Sequence, residues 1–382
     1  MFPCGKVAFL CYINGFKTPK TRENKMQVFN FNAGPAMLPV EVMKRAQQEF
    51  LDYKGTGCGI FEHSHRASSF QGVLDTTNAN IREVYGVPEN YDIVYIQGGA
   101  SMQFAMIPMN LMNTGAADFV DTGTWSSKAI KEAKLFGEAR VAAQSKDDKY
   151  TYIPKFEDWK LTDDASYVHI TSNNTIYGTQ YASFPKTKNP LIADMSSDIM
   201  SRPVNVADFG MIYAGAQKNL GPSGLALVII RKDLVERTPA NIPTMLKYST
   251  YTENDSLYNT PPTFGIYMIG LVMEWMKSVG GLTEIEKMNN AKAALLYDAI
   301  DNSDGYFRNP VQKDSRSKMN VVFRLPTEEL EAKFLKMLGE NGMIGLKGHR
   351  SVGGLRASIY NAMPIEGVEK LVSLMNDFRK NN

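Results

Sequence analysis

The sequence predicts an α/β protein, with a mostly parallel sheet covered by helices on both faces and a smaller α+β unit after it. Three observations carry this. Short apolar runs at 91–96, 117–121, 167–171, 191–194, 210–213 and 225–230 are the length of buried strands and too short for helices. Helical-period segments lie between most of them, and strands alternating with helices argue for parallel pairing. After Pro261-Pro262 the alternation changes character.

Taken in order, residues 1–25 stand apart. They carry Lys6, Lys17, Lys20, Arg22 and Lys25 against Glu23, and the run from Val7 to Ile13 lacks a cleavage site of small residues after it. This segment reads as a leader outside the fold, which then begins near Met26. A helix is expected over Glu41–Tyr53, with Val42, Ala46, Phe50 and Leu51 on one face. A glycine-rich loop, 55–59, precedes His63, His65 and Arg66, and a second helix runs from Phe70 to Tyr85. The strand at 91–96 passes into Gly98-Gly-Ala-Ser101 and a helix over Met102–Met112. Beyond the prolines, Thr263–Val279 reads as a long apolar helix connecting two domains. Helix Ile285–Ile300, strand Met319–Leu325, helix Glu328–Glu340, strand Leu355–Tyr360 and helix Ile365–Phe378 follow.

Composition narrows the function. A hydrophobic content of 43% and a charged content of 21% fit a soluble globular protein of two domains over 382 residues. No apolar run reaches the roughly 20 residues of a membrane helix. Cys4, Cys11 and Cys58 form neither a disulfide framework nor a metal-ligand spacing, which suits a reducing cytoplasm. The net charge of +2 comes from the first 25 residues, so the body is slightly acidic and offers nothing to nucleic acid.

Candidate chemistry centres on Lys218, in the turn between the runs at 210–213 and 225–230. A desolvated lysine is a usable amine nucleophile for a carbonyl; a turn lysine reaching out to water has the same local signature. Gly98–Ser101 could cradle a phosphate on the first amides of a helix, or be an ordinary tight turn. Asp194 closes an apolar strand, where a carboxylate could pair with a protonated pyridine nitrogen or cap a turn. Trp125 could stack on a planar ring or pack in the core. His65, Arg66, His349, Arg350 and Arg356 sit in glycine-rich loops, where arginine forks suit a substrate with more than one anionic group; solvated surface residues would look alike. His63 and His65 lack further metal ligands nearby, and His169 in its strand reads as a packed histidine.

Together these residues resemble the pyridoxal-phosphate-dependent aspartate-aminotransferase-like superfamily of fold type I, and within its class V the phosphoserine aminotransferase family. The resemblance rests on Phe29-Asn-Phe-Asn-Ala-Gly-Pro-Ala-Met-Leu-Pro39, on Asp194-Met-Ser-Ser197 with 199–203, on 216–224, and on 348–364. It implies a large domain (41–283) with a mostly parallel seven-stranded sheet, and a small α+β domain from 26–40 and 284–382. It implies a homodimer without membrane or nucleic-acid partners. Pyridoxal 5'-phosphate would be held by Lys218 as a Schiff base, with Ala100, Ser101 and Gln217 at its phosphate. Trp125 would stack on the ring, Asp194 pair with its nitrogen, and Thr175 touch its hydroxyl. Asn259 and Thr260 would reach the neighbouring subunit's cofactor phosphate, and His65, Arg66, His349, Arg350 and Arg356 would hold the substrate. Many relatives have arginine where Ser101 stands, so here the backbone would bind the phosphate without an arginine side chain. The implied reaction is amino transfer between phosphoserine and 2-oxoglutarate in serine biosynthesis; relatives also act on 4-phosphohydroxythreonine in pyridoxine biosynthesis. A serine- or alanine-glyoxylate aminotransferase and a cofactor-binding scaffold are the alternatives. A cysteine desulfurase would need a late cysteine, and every cysteine here precedes residue 59.

Overall fold

A computed structural model describes residues 28–382; the segment expected to be a leader lies outside them. The chain enters through β1 (Phe29–Asn30), α1 (Val40–Glu49) and α2 (Ser68–Tyr85). It continues through β2 (Tyr91–Gln97), α3 (Gly99–Leu111), β3 (Ala116–Asp121), α4 (Thr124–Ala133), β4 (Glu138–Gln144) and β5 (Val168–Thr171). A small hairpin, β6 (Asn173–Asn174) and β7 (Thr179–Gln180), precedes β8 (Leu191–Asp194), β9 (Met211–Gly215) and β10 (Leu225–Arg231). The short helices α5 (Lys232–Val235) and α6 (Tyr248–Thr252) lead to α7 (Thr263–Ser278) and α8 (Gly281–Asp301). The chain closes with β11 (Asn320–Phe323), α9 (Glu328–Glu340), β12 (Met343–Ile344), β13 (Leu355–Ser358) and α10 (Ile365–Lys380).

Seven strands form one sheet in the order β2-β10-β9-β8-β5-β3-β4. β10 runs antiparallel to both its neighbours, and the other pairings from β9 outward are parallel. All the strands except β10 therefore end at one edge, and β10 begins there. Both faces are covered, which is why the strands read as continuous apolar runs. Val120, Ile170, Ala193, Ile212 and Leu227 belong to the core shared with α2 and α7. Phe119, Ile192, Met211, Tyr213 and Val228 belong to the core shared with α3, α4 and α6. A separate core gathers Leu296, Phe334, Leu338, Leu371 and Phe378 around β11 and β13. Phe29 and Phe31 join it, because β1 pairs in parallel with β12.

Boundaries differ from the sequence expectation where a polar contact overrides periodicity. α1 stops at Glu49 rather than Tyr53, since the Tyr53 N–H bonds to the Cys58 carbonyl (2.9 Å) and closes the glycine loop. α3 starts at Gly99, ahead of the expected Met102: Gly98 adopts φ 92° at the cap, and a Cβ there would sit 3.0 Å from that of Met102. β4 escaped detection because its Glu-Ala-Arg-Val-Ala-Ala-Gln sequence is that of a half-exposed edge strand.

A buried polar seam joins the main sheet to the C-terminal core. The Asn173 amide donates to Asn320 Oδ1 (2.8 Å) and to Ser197 Oγ (2.8 Å), and Ser317 Oγ donates to Asn173 Oδ1 (2.5 Å). Asn320 in turn donates to Ser358 Oγ (3.0 Å) and the Tyr360 hydroxyl (3.1 Å). Removing one member strands the others without water. Asn320→Ala is expected to lower stability by about 2 kcal/mol, read as a lower urea midpoint at unchanged slope; an unchanged midpoint would show that the seam adds nothing to stability.

Candidate active site

At the edge where the strands end, the loops enclose a cavity of about 490 Å³. It is lined by Gly34 and Pro35, the Gly98–Ser101 turn, Phe104, Trp125, Thr171, Asn173, Thr175, Asp194, Ser196, Ser197, Gln217, Lys218, Ser223 and Gly224. Larger hollows of about 690 and 560 Å³ are grooves away from this edge and gather no buried amine–carboxylate pair.

The Lys218 amine sits on the turn between β9 and β10. The Ala216 N–H bonds to the Leu225 carbonyl (3.0 Å) and the Gly221 N–H to the Ala216 carbonyl (2.8 Å), so the turn is rigid. Lys218 is 9% exposed, and its Nζ donates to Thr175 Oγ1 at 2.6 Å. Burial pushes the amine down to about 8; the Asp194 charge opposes that shift, and the Arg356 charge adds to it.

Asp194, at the end of β8, accepts from the Ser196 N–H (2.9 Å) and hydroxyl (2.6 Å), both on Oδ1. Among the described residues no hydrogen bond reaches its Oδ2. Burial raises this carboxyl, while the Ser196 bonds and Lys218 favour its charged form. Below it, the His169 ring nitrogen lies 2.9 Å from the Tyr213 hydroxyl, and full burial drives the imidazole down to about 3, so it is neutral. That agrees with a packed histidine.

Trp125 is carried by a turn locked on Asp121. Ser126 Oγ and Ser127 Oγ both donate to Asp121 Oδ1 (2.7 and 2.9 Å), and the N–H groups of Thr122 and Gly123 donate to Ser126 Oγ (2.9 Å each). The Lys128 ammonium stands 4.5 Å from the indole centroid. Arg356 Nη1 donates to the Thr175 carbonyl (3.3 Å), and among the described residues its buried Nε has no partner. His349, partly buried, is pushed below the usual imidazole value by burial and by the charges of Arg356, Arg350 and Lys128. The surroundings of His349 are thus cationic.

A scan of family models matches residues 28–371 to aminotransferase class V. The chain belongs to the class-V aminotransferase family. It is 54% identical to the phosphoserine aminotransferase of Niallia circulans, over 93% of this chain and 98% of that one. The solved phosphoserine aminotransferase of Bacillus circulans subsp. alkalophilus superposes with a TM-score of 0.92 at 54% identity, covering 93% of this chain and 99% of that one. The pyridoxal-phosphate-bound enzyme of Trichomonas vaginalis gives 0.88 at 37% identity, covering 92% and 100%.

Pyridoxal phosphate is the cofactor of this family member, and the residues fit it. The Gly98 turn opens backbone at the start of α3, where first-turn N–H groups point outward at an anion. Trp125 Nε1 and Thr171 Oγ1 are buried at the cavity without partners among the described residues, and Asp194 keeps Oδ2 open for a ring N–H. Of the residues picked from sequence, Ala100, Ser101, Trp125, Thr175, Asp194, Gln217 and Lys218 line this one cavity. Arg356, His349 and Arg350 are not among its lining residues; Arg356 does reach the Thr175 carbonyl, and His349 lies close enough to Arg356 and the exposed Arg350 to feel their charges. His65, Arg66, Asn259 and Thr260 do not line the cavity of their own chain; the Thr260 carbonyl instead accepts from Gln97 (3.0 Å). Sequence reasoning missed Ser196, which orients Asp194, along with Phe104, Asn173 and Lys128. It also missed the role of Gly34 and Pro35 in the wall, although the run Asn-Ala-Gly-Pro ahead of α1 signals a tight turn. The Ala36 N–H bonds to the Gln217 carbonyl (2.9 Å), and a Cβ at Gly34 would touch Gln217.

The amine titration gives a direct test. In protein freed of cofactor, borohydride trapping of pyridoxal phosphate on Lys218, followed by peptide mass spectrometry, should accelerate as pH rises and level off above about 8. The neutral amine is the reactive form, so the rate tracks its fraction; a midpoint near that of an ordinary lysine, about 10.4, would contradict the buried geometry.

Proposed function

We propose that this aminotransferase exchanges the amino group between O-phospho-L-serine and 2-oxoglutarate, giving 3-phosphohydroxypyruvate and L-glutamate in serine biosynthesis. The observation that carries this is Lys218, a buried amine of lowered basicity, sharing one cavity with Asp194 and linked through Thr175 to Arg356. Relatives more than half identical over nearly the whole chain, named phosphoserine aminotransferase, support the substrate. When bound, the cofactor supplies an electron sink for a substrate carbanion. The protein's part follows from its side chains. Lys218 Nζ, neutral above about pH 8, takes and returns the Cα proton. Asp194 keeps the cavity floor anionic opposite a ring cation. Arg356, with a free fork edge, takes a substrate carboxylate or phosphate, and His349 and Arg350 extend that grip at the rim.

His65, Arg66, Asn259 and Thr260 belong, in this reading, to the site of a partner subunit in a homodimer. An exposed aromatic cluster supports it. Phe50 and Phe61 lie 4.0 Å apart and Phe61 stacks on Phe264 at 4.5 Å, with Leu51 82% exposed alongside. Such a patch on a free surface marks an interface. The division into a large domain (41–283) and a small one (26–40 with 284–382) and a cytoplasmic location belong to the same proposal. Among the described residues no helix is long and apolar enough to cross a membrane.

Two experiments test the proposal. Lys218→Ala should lose phosphoserine transamination by at least about a thousandfold, while Arg356→Lys should raise KM for phosphoserine more than it lowers kcat; equal rates with plain serine would point instead to a glyoxylate-type aminotransferase. Mixing and refolding Lys218→Ala with Arg66→Ala should restore activity that neither variant has alone, because one hybrid site keeps both residues; no recovery would break the shared-site dimer.

A further inference from the structure

Among the described residues a second buried lysine lies outside the cavity. Lys292, on α8, is 1% exposed, and no carboxylate lies within ion-pair distance of it among the described residues. Its Nζ donates to three consecutive backbone carbonyls, those of Ile359 (3.1 Å), Tyr360 (2.7 Å) and Asn361 (3.4 Å). An ammonium has three donors and no acceptor, so the match in number is complete. Burying an ammonium without a counter-ion is costly, and an apolar side chain of the same length would fill that space without the cost. Burial drives the group down to about 7, while the three carbonyl dipoles favour its charged form.

The turn it ties down leads to the cavity by two routes. The Asn361 N–H donates to Asn219 Oδ1 (3.1 Å), and Asn219 follows Lys218 in the chain. Asn219 is held from its other end by the Ile199 carbonyl (3.0 Å). The Tyr360 hydroxyl donates to the Ala33 carbonyl (2.8 Å), next to Gly34 in the cavity wall, and Tyr360 follows the strand that carries Arg356. Asn289, one turn before Lys292 on the same helix, donates to Asn361 Oδ1 (2.8 Å) and braces the turn from the same side.

We propose that Lys292 is a positioning residue for the active site: by gathering the carbonyls of 359–361 onto α8, it sets the turn that fixes both the Lys218 loop and the Arg356 strand. This rests on the reading of Lys218 as the cofactor-holding amine. A lysine that merely stabilises the C-terminal core would lower stability when replaced and leave the cavity's chemistry alone.

The test uses the full chain with Lys292→Met, which keeps an unbranched apolar stem and removes the donors. Three quantities are measured: the pH midpoint of borohydride trapping of pyridoxal phosphate on Lys218, KM and kcat for phosphoserine, and the urea midpoint. Loosening the turn admits water to the Lys218 amine and lets the Arg356 charge move away, and both changes favour the ammonium. The trapping midpoint should therefore rise by about half a pH unit or more, with KM several-fold higher. A folded Lys292→Met protein with the parent's trapping midpoint and KM overturns the proposal, whatever its urea midpoint. Should that variant not fold, Asn219→Ala cuts the first route with Lys292 in place; the same upward shift supports the proposal, and an unchanged midpoint overturns it. Lys218→Ala serves as the control. Trapping that persists there on another lysine would sink the reading of Lys218 itself, separately from the role of Lys292.

Discussion

Everything at the active site depends on keeping one lysine amine out of water. An ammonium buried in protein loses hydration that a neighbouring charge restores only in part, so the amine of Lys218 is held near neutrality, with a carboxylate close by and a guanidinium beyond it. That balance requires walls. The central strands supply them: β8, β9 and β10 are buried on both faces, and the side chains of β10 from Leu225 to Ile230 have no measurable exposure. The apolar sheet sets the electrostatics of the amine as well as supporting the loops around it.

The loops are in turn fixed by polar contacts that close on themselves. Asp121 gathers Ser126 and Ser127 to hold the turn of Trp125, and Ser196 turns back on Asp194. Asn173 and Asn320 bind the sheet edge to the C-terminal core. Each network fixes its loop through bonds within the protein and leaves Asp194 Oδ2 open, so the geometry is set before any ligand arrives. Preorganised polar groups of this kind cost no reorganisation at the moment of reaction.

How much of this could be read from sequence follows from the range of the interactions. Asp194 was visible because it closes an apolar run the length of a buried strand, and Lys218 because its turn joins two such runs. The Gly98 turn was visible for the same local reason. The exposed strand β4 carried no apolar run to find, and α1 ended early because a backbone bond from Tyr53 to Cys58 competes with helical periodicity. Ser196 looks like any turn serine until Asp194 is placed beside it. Asn173 and Asn320 are separated by most of the second half of the chain, and Lys292 reads as one more lysine on a helix. Their roles come from contacts that no local pattern encodes. Lys218, Trp125 and Asp194 were singled out by chemistry, but that they face one cavity depends on the strand order.

The reversed direction of β10 has a further result. Because it runs against its neighbours, the Gly224 carbonyl meets the Gly98 N–H (3.2 Å), and the anion-binding turn is stitched to the same hairpin that carries the lysine. The strands bearing these two elements, β2 and β9, are held two strand spacings apart, roughly 10 Å, by backbone bonds that no side-chain change can stretch. The spacing between the Gly98 turn and the lysine loop is therefore a property of the backbone, and substitutions in the loops can change what lines the cavity without changing how far apart its two ends are held.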